Sequence, residues 1–128
     1  MSDQFPNPID LELAQEIVTD HARHPHHVGE LSDVTHQASA TNASCGDKLH
    51  LQLCIEDNKI TKVGITPSGC VISTAATSLL TDWLIGKTIQ EAQAINENEI
   101  KQLLGIPINI TRAKCANLPL RALHQAIQ

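Results

Sequence analysis

The sequence predicts a mixed domain in which an antiparallel hairpin is flanked by helices. Three patterns predict it: helical spacing of apolar residues near the start, strict alternation in the middle, and a return to helical spacing after residue 70. Residues 9–23 (IDLELAQEIVTDHAR) read as an amphipathic helix, with Ile9, Leu13, Ile17 and Val18 on its apolar face and Pro25 just past its end. Residues 34–41 (VTHQASAT) suit a strand. In residues 49–56, Leu49, Leu51, Leu53 and Ile55 face one way, and His50, Gln52, Cys54 and Glu56 the other. Asp57-Asn58 supplies turn chemistry, and residues 59–66 return as a second strand with Val63 and Ile65 on one face. This hairpin is expected to keep one face in water.

Past Pro67-Ser68-Gly69 the period changes. Residues 71–85 place Ala75, Ala76, Leu79, Leu80, Trp83 and Leu84 at helical spacing, and Gly86 sits where a C-terminal cap belongs. Thr88 with Glu91 forms a capping-box pattern for a short helix. Asn96 with Glu99 starts another, which ends at Gly105. Residues 115–127 hold the last helix. A proline deep inside a helix costs about 3 kcal/mol, but the first turn tolerates it. Pro119 therefore places the start of this helix near Cys115 or Ala116, with room for a turn or distortion before it.

Composition narrows the function. The chain has 128 residues, which fits one domain over residues 1–128, and a chain of that size buries about two-thirds of its unfolded surface. Apolar residues at 41% and charged residues at 18% mark it as globular rather than disordered. Phe5 and Trp83 are its aromatic residues, too few for a base-stacking nucleic-acid module. A net charge of −5 works against DNA and anionic membranes. No apolar run approaches about 18 residues, so no membrane-spanning helix is expected. The opening MSDQFPNPID has neither a basic n-region nor an apolar h-region, and a cytoplasmic location is expected.

Cys45, Cys54, Cys70 and Cys115 are the four cysteines. A reducing cytosol disfavours disulfides between them. No CxxC pair occurs, so a metal site must gather distant ligands through the fold. Cys45 lies in Ser44-Cys45-Gly46-Asp47 at the start of the alternating strand, with the Asp47 carboxylate two residues on. Cys70 follows Gly69 at the entrance of a helix, and Cys115 is expected at the entrance of another. Helix N-termini expose free N–H groups that stabilise thiolates, which suits nucleophiles and soft-metal ligands. An isolated cysteine is more often a small buried hydrophobe; three at element ends, one beside an aspartate, weigh the chemical reading equally with that one, and the pattern alone does not choose between them. Cys54 lies mid-strand on the polar face and is expected to be a half-exposed thiol outside the site.

His21, His24, His26 and His27 crowd the end of the first helix. His21 and His24 share a helical face, so a metal could bridge them. A solvated helix end is the better reading, because no acidic or thiol partner is visible and His⁺ suits a C-terminal dipole. His36, His50 and His124 show no constellation. There is no GxSxG, GxxxxGK[ST] or GxGxxG motif, and no Ser/His/Asp triad is legible.

Together these junctions resemble the U-type iron–sulfur cluster assembly scaffolds, the IscU, SufU and NifU N-terminal group, from about Ile17 to Ile127. Asp20-His21-Ala22-Arg23-His24-Pro25 followed by Val28-Gly29-Glu30-Leu31 is similar to the family's helix-end segment. Thr41-Asn42-Ala43-Ser44-Cys45-Gly46-Asp47 is similar to its first cysteine loop. Gly69-Cys70-Val71-Ile72-Ser73, with Ala75-Ala76-Thr77-Ser78, is similar to the second, and Arg112-Ala113-Lys114-Cys115-Ala116-Asn117-Leu118-Pro119 to the third.

The resemblance implies an α+β fold with a small antiparallel sheet of about three strands packed against several helices. It implies a site of Cys45, Asp47, Cys70 and Cys115, with Cys115 or Cys45 as persulfide acceptor and Lys114 supporting the neighbouring thiolate. The implied role is that of a scaffold rather than a classical enzyme. It takes sulfur from a cysteine desulfurase, assembles a transient [2Fe–2S] cluster with Fe²⁺ and passes it to apo-protein clients or a carrier. Zn²⁺ is the implied occupant of the cluster-free form. A Cys₃Asp cluster should be labile, because a carboxylate replaces one of the usual thiolates.

Three departures bear on the branch. Lys114 stands where the IscU branch has histidine and is similar to the SufU branch. The stretch from Gly86 to Cys115 is short, as in the IscU branch. Ile108-Asn109-Ile110-Thr111-Arg112 replaces the proline-containing peptide that engages a specialised Hsp70 chaperone, so that partner is not implied. The alternative reading is a zinc-dependent sulfur carrier, in which Zn²⁺ closes the site at rest and releases one thiolate to accept sulfur. A purely structural zinc domain is a third.

Overall fold

The computed structural model describes residues 10–128. The first helix, α1 (Leu11–Arg23), begins where the Asp10 carboxylate accepts the Leu13 N–H at 3.0 Å. Its buried face is Ala14, Val18 and His21, with Ile17 half-buried and Leu13 exposed. The expected face was therefore misphased: spacing i, i+4, i+7 from Ala14 selects the contact with the rest of the fold, and Ile9 lies outside the described residues.

Three strands follow, β1 (His36–Asn42), β2 (Asp47–Glu56) and β3 (Lys59–Ser68), in an antiparallel sheet of order β1-β2-β3. Asp57 and Asn58 carry φ of 51° and 66° between the paired residues Glu56 and Lys59. Two left-handed residues give the turn the twist that a two-residue hairpin needs. The register shifts between Cys54 and Ile55, a bulge near the hairpin end.

Leu49, Leu51 and Leu53 lie on the inner face beside their cross-strand partners Ala40, Ala38, Ile65 and Val63. The helices α2 (Val71–Leu84), α3 (Ile89–Ala94), α4 (Glu97–Leu104), α5 (Ile110–Ala116) and α6 (Leu118–Ile127) follow the sheet. Among these, α6 packs on β1 and β2, and α2 packs on β3 and on α1. Small Ala40 in β1 leaves room for α6. Leu80, Leu84, Ile100, Leu104, Leu118 and Leu123 complete the core.

The other sheet face is not simply wet. The chain between α1 and β1 crosses it: Gly29 N–H donates to Ile65 O at 2.9 Å, and Leu31 N–H donates to Gln52 Oε1 at 2.8 Å. Gln52 and Cys54 are buried as a result. Cys54, expected half-exposed, is 2% exposed, and its Sγ donates to Glu56 Oε1 at 3.5 Å. An alternating strand signals which residues share a face, but not what a distant segment lays over it.

The α3 and α4 caps form as the sequence predicts. Both capping boxes are complete, and Gly105 ends α4 in the left-handed region. The last helix differs from expectation. It starts at Leu118 rather than near Cys115, with Pro119 in its first turn. Asn117, at φ −92° and ψ 0°, separates it from α5. Among the described residues, no helix is long and apolar enough to cross a membrane.

Candidate metal centre

The β1–β2 connection is a four-residue loop, Ala43-Ser44-Cys45-Gly46, closed by the pair Asn42 and Asp47. Cys45 and Gly46 N–H groups both donate to Asn42 O, at 3.3 and 2.8 Å. Gly46 sits at φ +73°, which a glycine occupies without the Cβ penalty. This turn lifts Cys45 to the surface and returns the chain with the Asp47 side chain buried.

The second strand end brings in Cys70. It is the N-cap of α2, and its Sγ accepts the Ser73 N–H at 3.5 Å. Its own N–H donates to Asp47 Oδ1 at 2.9 Å, while its Sγ lies 3.9 Å from Asp47 Oδ2. Gly69 makes this approach possible: a Cβ there would fall 2.5 Å from Ser73 Oγ and 2.6 Å from Asp47 Oδ1.

Cys115 arrives from the opposite direction to the one expected. It lies in the last turn of α5, not at a helix N-terminus, because the chain breaks at Asn117 rather than before Cys115. The helix-dipole argument therefore serves Cys70 and not Cys115. Cys115 is 1% exposed, and its Sγ is 3.3 Å from that of Cys45, contact distance between two free thiols and far beyond a disulfide bond.

Ligand atoms of Cys45, Asp47 and Cys115 lie within 4.8 Å of one another. Four donors on one tetrahedral ion stand about 3.3–3.8 Å apart, given bond lengths of about 2.0–2.3 Å. This trio thus needs only small side-chain movements to reach that spacing; Cys70 Sγ stands outside it, 3.9 Å from Asp47 Oδ2. Three soft sulfurs and one carboxylate fit zinc or iron–sulfur chemistry rather than calcium or magnesium.

The electrostatics follow from burial and hydrogen bonds. Burial works against the Asp47 carboxylate, but the Cys70 N–H and the thiols of Cys115, Cys45 and Cys70 outweigh it and hold its pKa below the usual carboxylate range. Burial also opposes the Cys70 thiolate. Backbone and side-chain hydrogen bonds from Ser73, joined by one with Cys115, overcome that and lower its pKa. Burial pushes the Cys115 thiol well up, and hydrogen bonds with Cys45, Asp47 and Cys70 add to the shift. Without a metal, Cys115 is a protonated donor to its neighbours; a cation would have to displace that proton.

Lys114 is exposed on α5 beside Cys115. Cys54 stays apart, seven residues along β2 from Asp47, on the order of 23 Å along the strand. Asn42, Gly69 and Ser73 fall within the quoted motifs, but the sequence alone assigns them no part in the site. Asn42 is buried, and its Nδ2 donates to Cys45 Sγ at 2.9 Å and reaches Cys115 Sγ at 3.9 Å. Ser44 Oγ donates to Asn42 Oδ1 at 2.9 Å and fixes the amide. The local signal was the Asn two residues before Ser44, but its reach to Cys115 depends on a contact 73 residues away in the chain.

Known proteins resemble this chain over most of its length. An iron–sulfur cluster assembly scaffold protein IscU from Streptococcus pyogenes is 34% identical over 91% of this chain and 83% of its own length. The protein of the same description from Haemophilus influenzae is 34% identical over 88% of this chain and 90% of its own. A solved structure of a candidate iron–sulfur cluster assembly scaffold for the SUF system, from Fervidobacterium islandicum, superposes with a TM-score of 0.75 at 26% identity, covering 88% of this chain and 95% of that one. The N-terminal part of a NifU-like protein from Brucella abortus shares the fold, with a TM-score of 0.74 at 18% identity. The family described as NifU-like N terminal domain matches residues 13–128. The α+β sheet-and-helix architecture and these matches agree, and the chain belongs to the NifU-like N-terminal domain family.

Proposed function

We propose that residues 1–128 act as one scaffold unit on which a [2Fe–2S] cluster is assembled as cargo and then released to apo-protein clients or a carrier. The observation that carries this reading is the convergence of Cys45, Asp47 and Cys115 within 4.8 Å, with Cys70 hydrogen-bonded to Asp47. Relatives described as iron–sulfur cluster assembly scaffolds support it. Three thiolates bind iron strongly, while a single carboxylate exchanges more readily, so the donor set suits temporary holding.

Sulfur enters from a cysteine desulfurase persulfide. A scaffold thiolate attacks the outer sulfur, the S–S bond breaks, and the desulfurase thiolate leaves. Of the two candidate acceptors, Cys45 is exposed and Cys115 is buried, so a partner's persulfide reaches Cys45 first. Cys115, 3.3 Å away, is placed to take the sulfur onward or to ligate iron. Two sulfane sulfurs need four electrons to become sulfide. Two Fe²⁺ going to Fe³⁺ supply two, and an external thiol reductant supplies the other two.

A second reading has a specific observation in its favour. The compact Cys45–Asp47–Cys115 trio suits a single tetrahedral Zn²⁺, and Lys114 beside Cys115 provides a positive charge for a released thiolate. In that case the chain is a zinc-dependent sulfur carrier.

Sulfur tracing separates the two. The protein is incubated anaerobically with a cysteine desulfurase, cysteine and Fe²⁺, then followed by visible circular dichroism and by mass spectrometry of alkylated peptides. The scaffold reading predicts cluster bands that disappear in Cys45→Ser, Cys70→Ser and Cys115→Ser. Retained zinc and an added sulfur on one cysteine, without cluster bands, would establish the carrier instead.

A further inference from the structure

We propose that His21, His26, His27 and Asp82 form a second binding site, separate from the cysteine centre, for a divalent transition-metal cation of the zinc class. The sequence pairs His21 with His24, but the fold pairs it elsewhere. One ring nitrogen of His21, one of His26 and a carboxylate oxygen of Asp82 lie within 4.8 Å of one another. His26 Nδ1 donates to Asp82 Oδ2 at 2.7 Å, and His27 Nε2 donates to Asp82 Oδ1 at 2.9 Å. The His21 and His26 ring centroids are 4.4 Å apart. The acidic partner that the histidine run lacks in sequence is thus supplied by α2.

The site is built, not an accident of long side chains. Consecutive residues of an extended chain point to opposite sides. His27 has φ +63°, an uncommon conformation for a residue with a side chain, and this turn lets His26 and His27 both reach one carboxylate. The backbone on either side is pinned: His26 N–H donates to Ser78 Oγ at 2.8 Å, and His27 O accepts the Ile65 N–H at 2.9 Å. Ser78 Oγ also lies 2.7 Å from His21 Nδ1. A ligating imidazole ordinarily hands its other N–H to a nearby acceptor that orients the ring, and buried Ser78 is placed for that role.

The donor set sets the ligand class. Imidazole nitrogens with one carboxylate suit zinc, copper, nickel or iron(II) rather than calcium or magnesium. The His26 and Asp82 side chains are 44% and 39% exposed, so an ion can approach from solvent and keep a water ligand. Asp82 lies twelve residues along α2 from Cys70, on the order of 18 Å along the helix axis, so one ion cannot serve both centres.

Native mass spectrometry of the full chain after Zn²⁺ loading and buffer exchange counts the ions. The expected result is one zinc fewer in Asp82→Asn and in His26→Gln/His27→Gln than in wild type. In a chain carrying Cys45→Ser, Cys70→Ser and Cys115→Ser together, one zinc should remain, and adding Asp82→Asn should remove it. Far-ultraviolet circular dichroism checks that each variant is folded. If the double histidine variant fails to fold, Asp82→Asn, which changes one part-exposed side chain, still decides. Equal zinc counts in wild type and the folded variants would overturn the proposal, as would a triple-serine chain that binds no zinc while folded.

Discussion

Asp47 holds two jobs that pull on one side chain. Its carboxylate lies within 4.8 Å of the Cys45 and Cys115 sulfurs, where we propose it holds iron, and it also accepts the Cys70 N–H at the start of α2. Asp47→Ala removes both and leaves a part-buried N–H without its partner, so it should destabilise the metal-free protein by about 1 kcal/mol. Asp47→Asn keeps an acceptor oxygen and removes the charge, and chemical denaturation should find it closer to wild type. The sign of its pH dependence follows from the lowered carboxyl pKa. Folding favours the ionised form, so this contribution is fully present above the unfolded value of about 3.9 and is lost as pH falls through the lower folded value. The stability difference between wild type and Asp47→Asn should therefore shrink on acidification below about pH 4; a difference that grows there would contradict the assignment. Gly69 gives a second test at this scale. Gly69→Ala forces a Cβ against Ser73 and Asp47 and should cost about 1–3 kcal/mol by thermal or chemical melting.

At the scale of elements, legibility depended on how local the signal was. The Thr88–Glu91 and Asn96–Glu99 boxes and the Asp57-Asn58 turn satisfy their own backbone within a few residues, and each forms as read. Thr88→Ala and Asn96→Ala should each cost about 1 kcal/mol in a denaturant titration, the usual worth of a cap. The α5–α6 break was not legible to the residue. Pro119 only requires that a helix begin within about one turn before it, and Leu118 and Ala116 satisfy that equally well. The consequence is chemical: Cys115 ends a helix instead of opening one, so no free N–H groups of a helix N-terminus offset the burial that pushes its thiol pKa up. The α1 phase was misread for a related reason. Leu11 and Leu13 are exposed, and the smaller Ala14 faces the interior.

At the scale of the molecule, the core is carried by the inner sheet face against α2 and α6, and removing a fully buried side chain there should be severe. Leu53→Ala should destabilise by about 2–5 kcal/mol without altering the cysteine geometry, which sits at the far end of β2. The site itself was legible as three cysteines and one aspartate near expected element ends, and their assembly depends on the fold. Cys45, Asp47, Cys70 and Cys115 converge because β1, β2 and β3 deliver two loops to one sheet end and α5 closes over them. Long-range contacts set what the sequence could not show: the strap that buries Cys54, the reach of Asn42 to Cys115, and the joining of Asp82 to the histidine run. The measurement that tests the central claim most directly is anaerobic native mass spectrometry after incubation with a cysteine desulfurase, cysteine, Fe²⁺ and a thiol reductant. The account predicts a mass gain of two irons and two sulfides on the wild type and on Cys54→Ala, absent from Cys45→Ser, Cys70→Ser and Cys115→Ser. A cluster that survives those three substitutions, or one that is lost with Cys54, would contradict it.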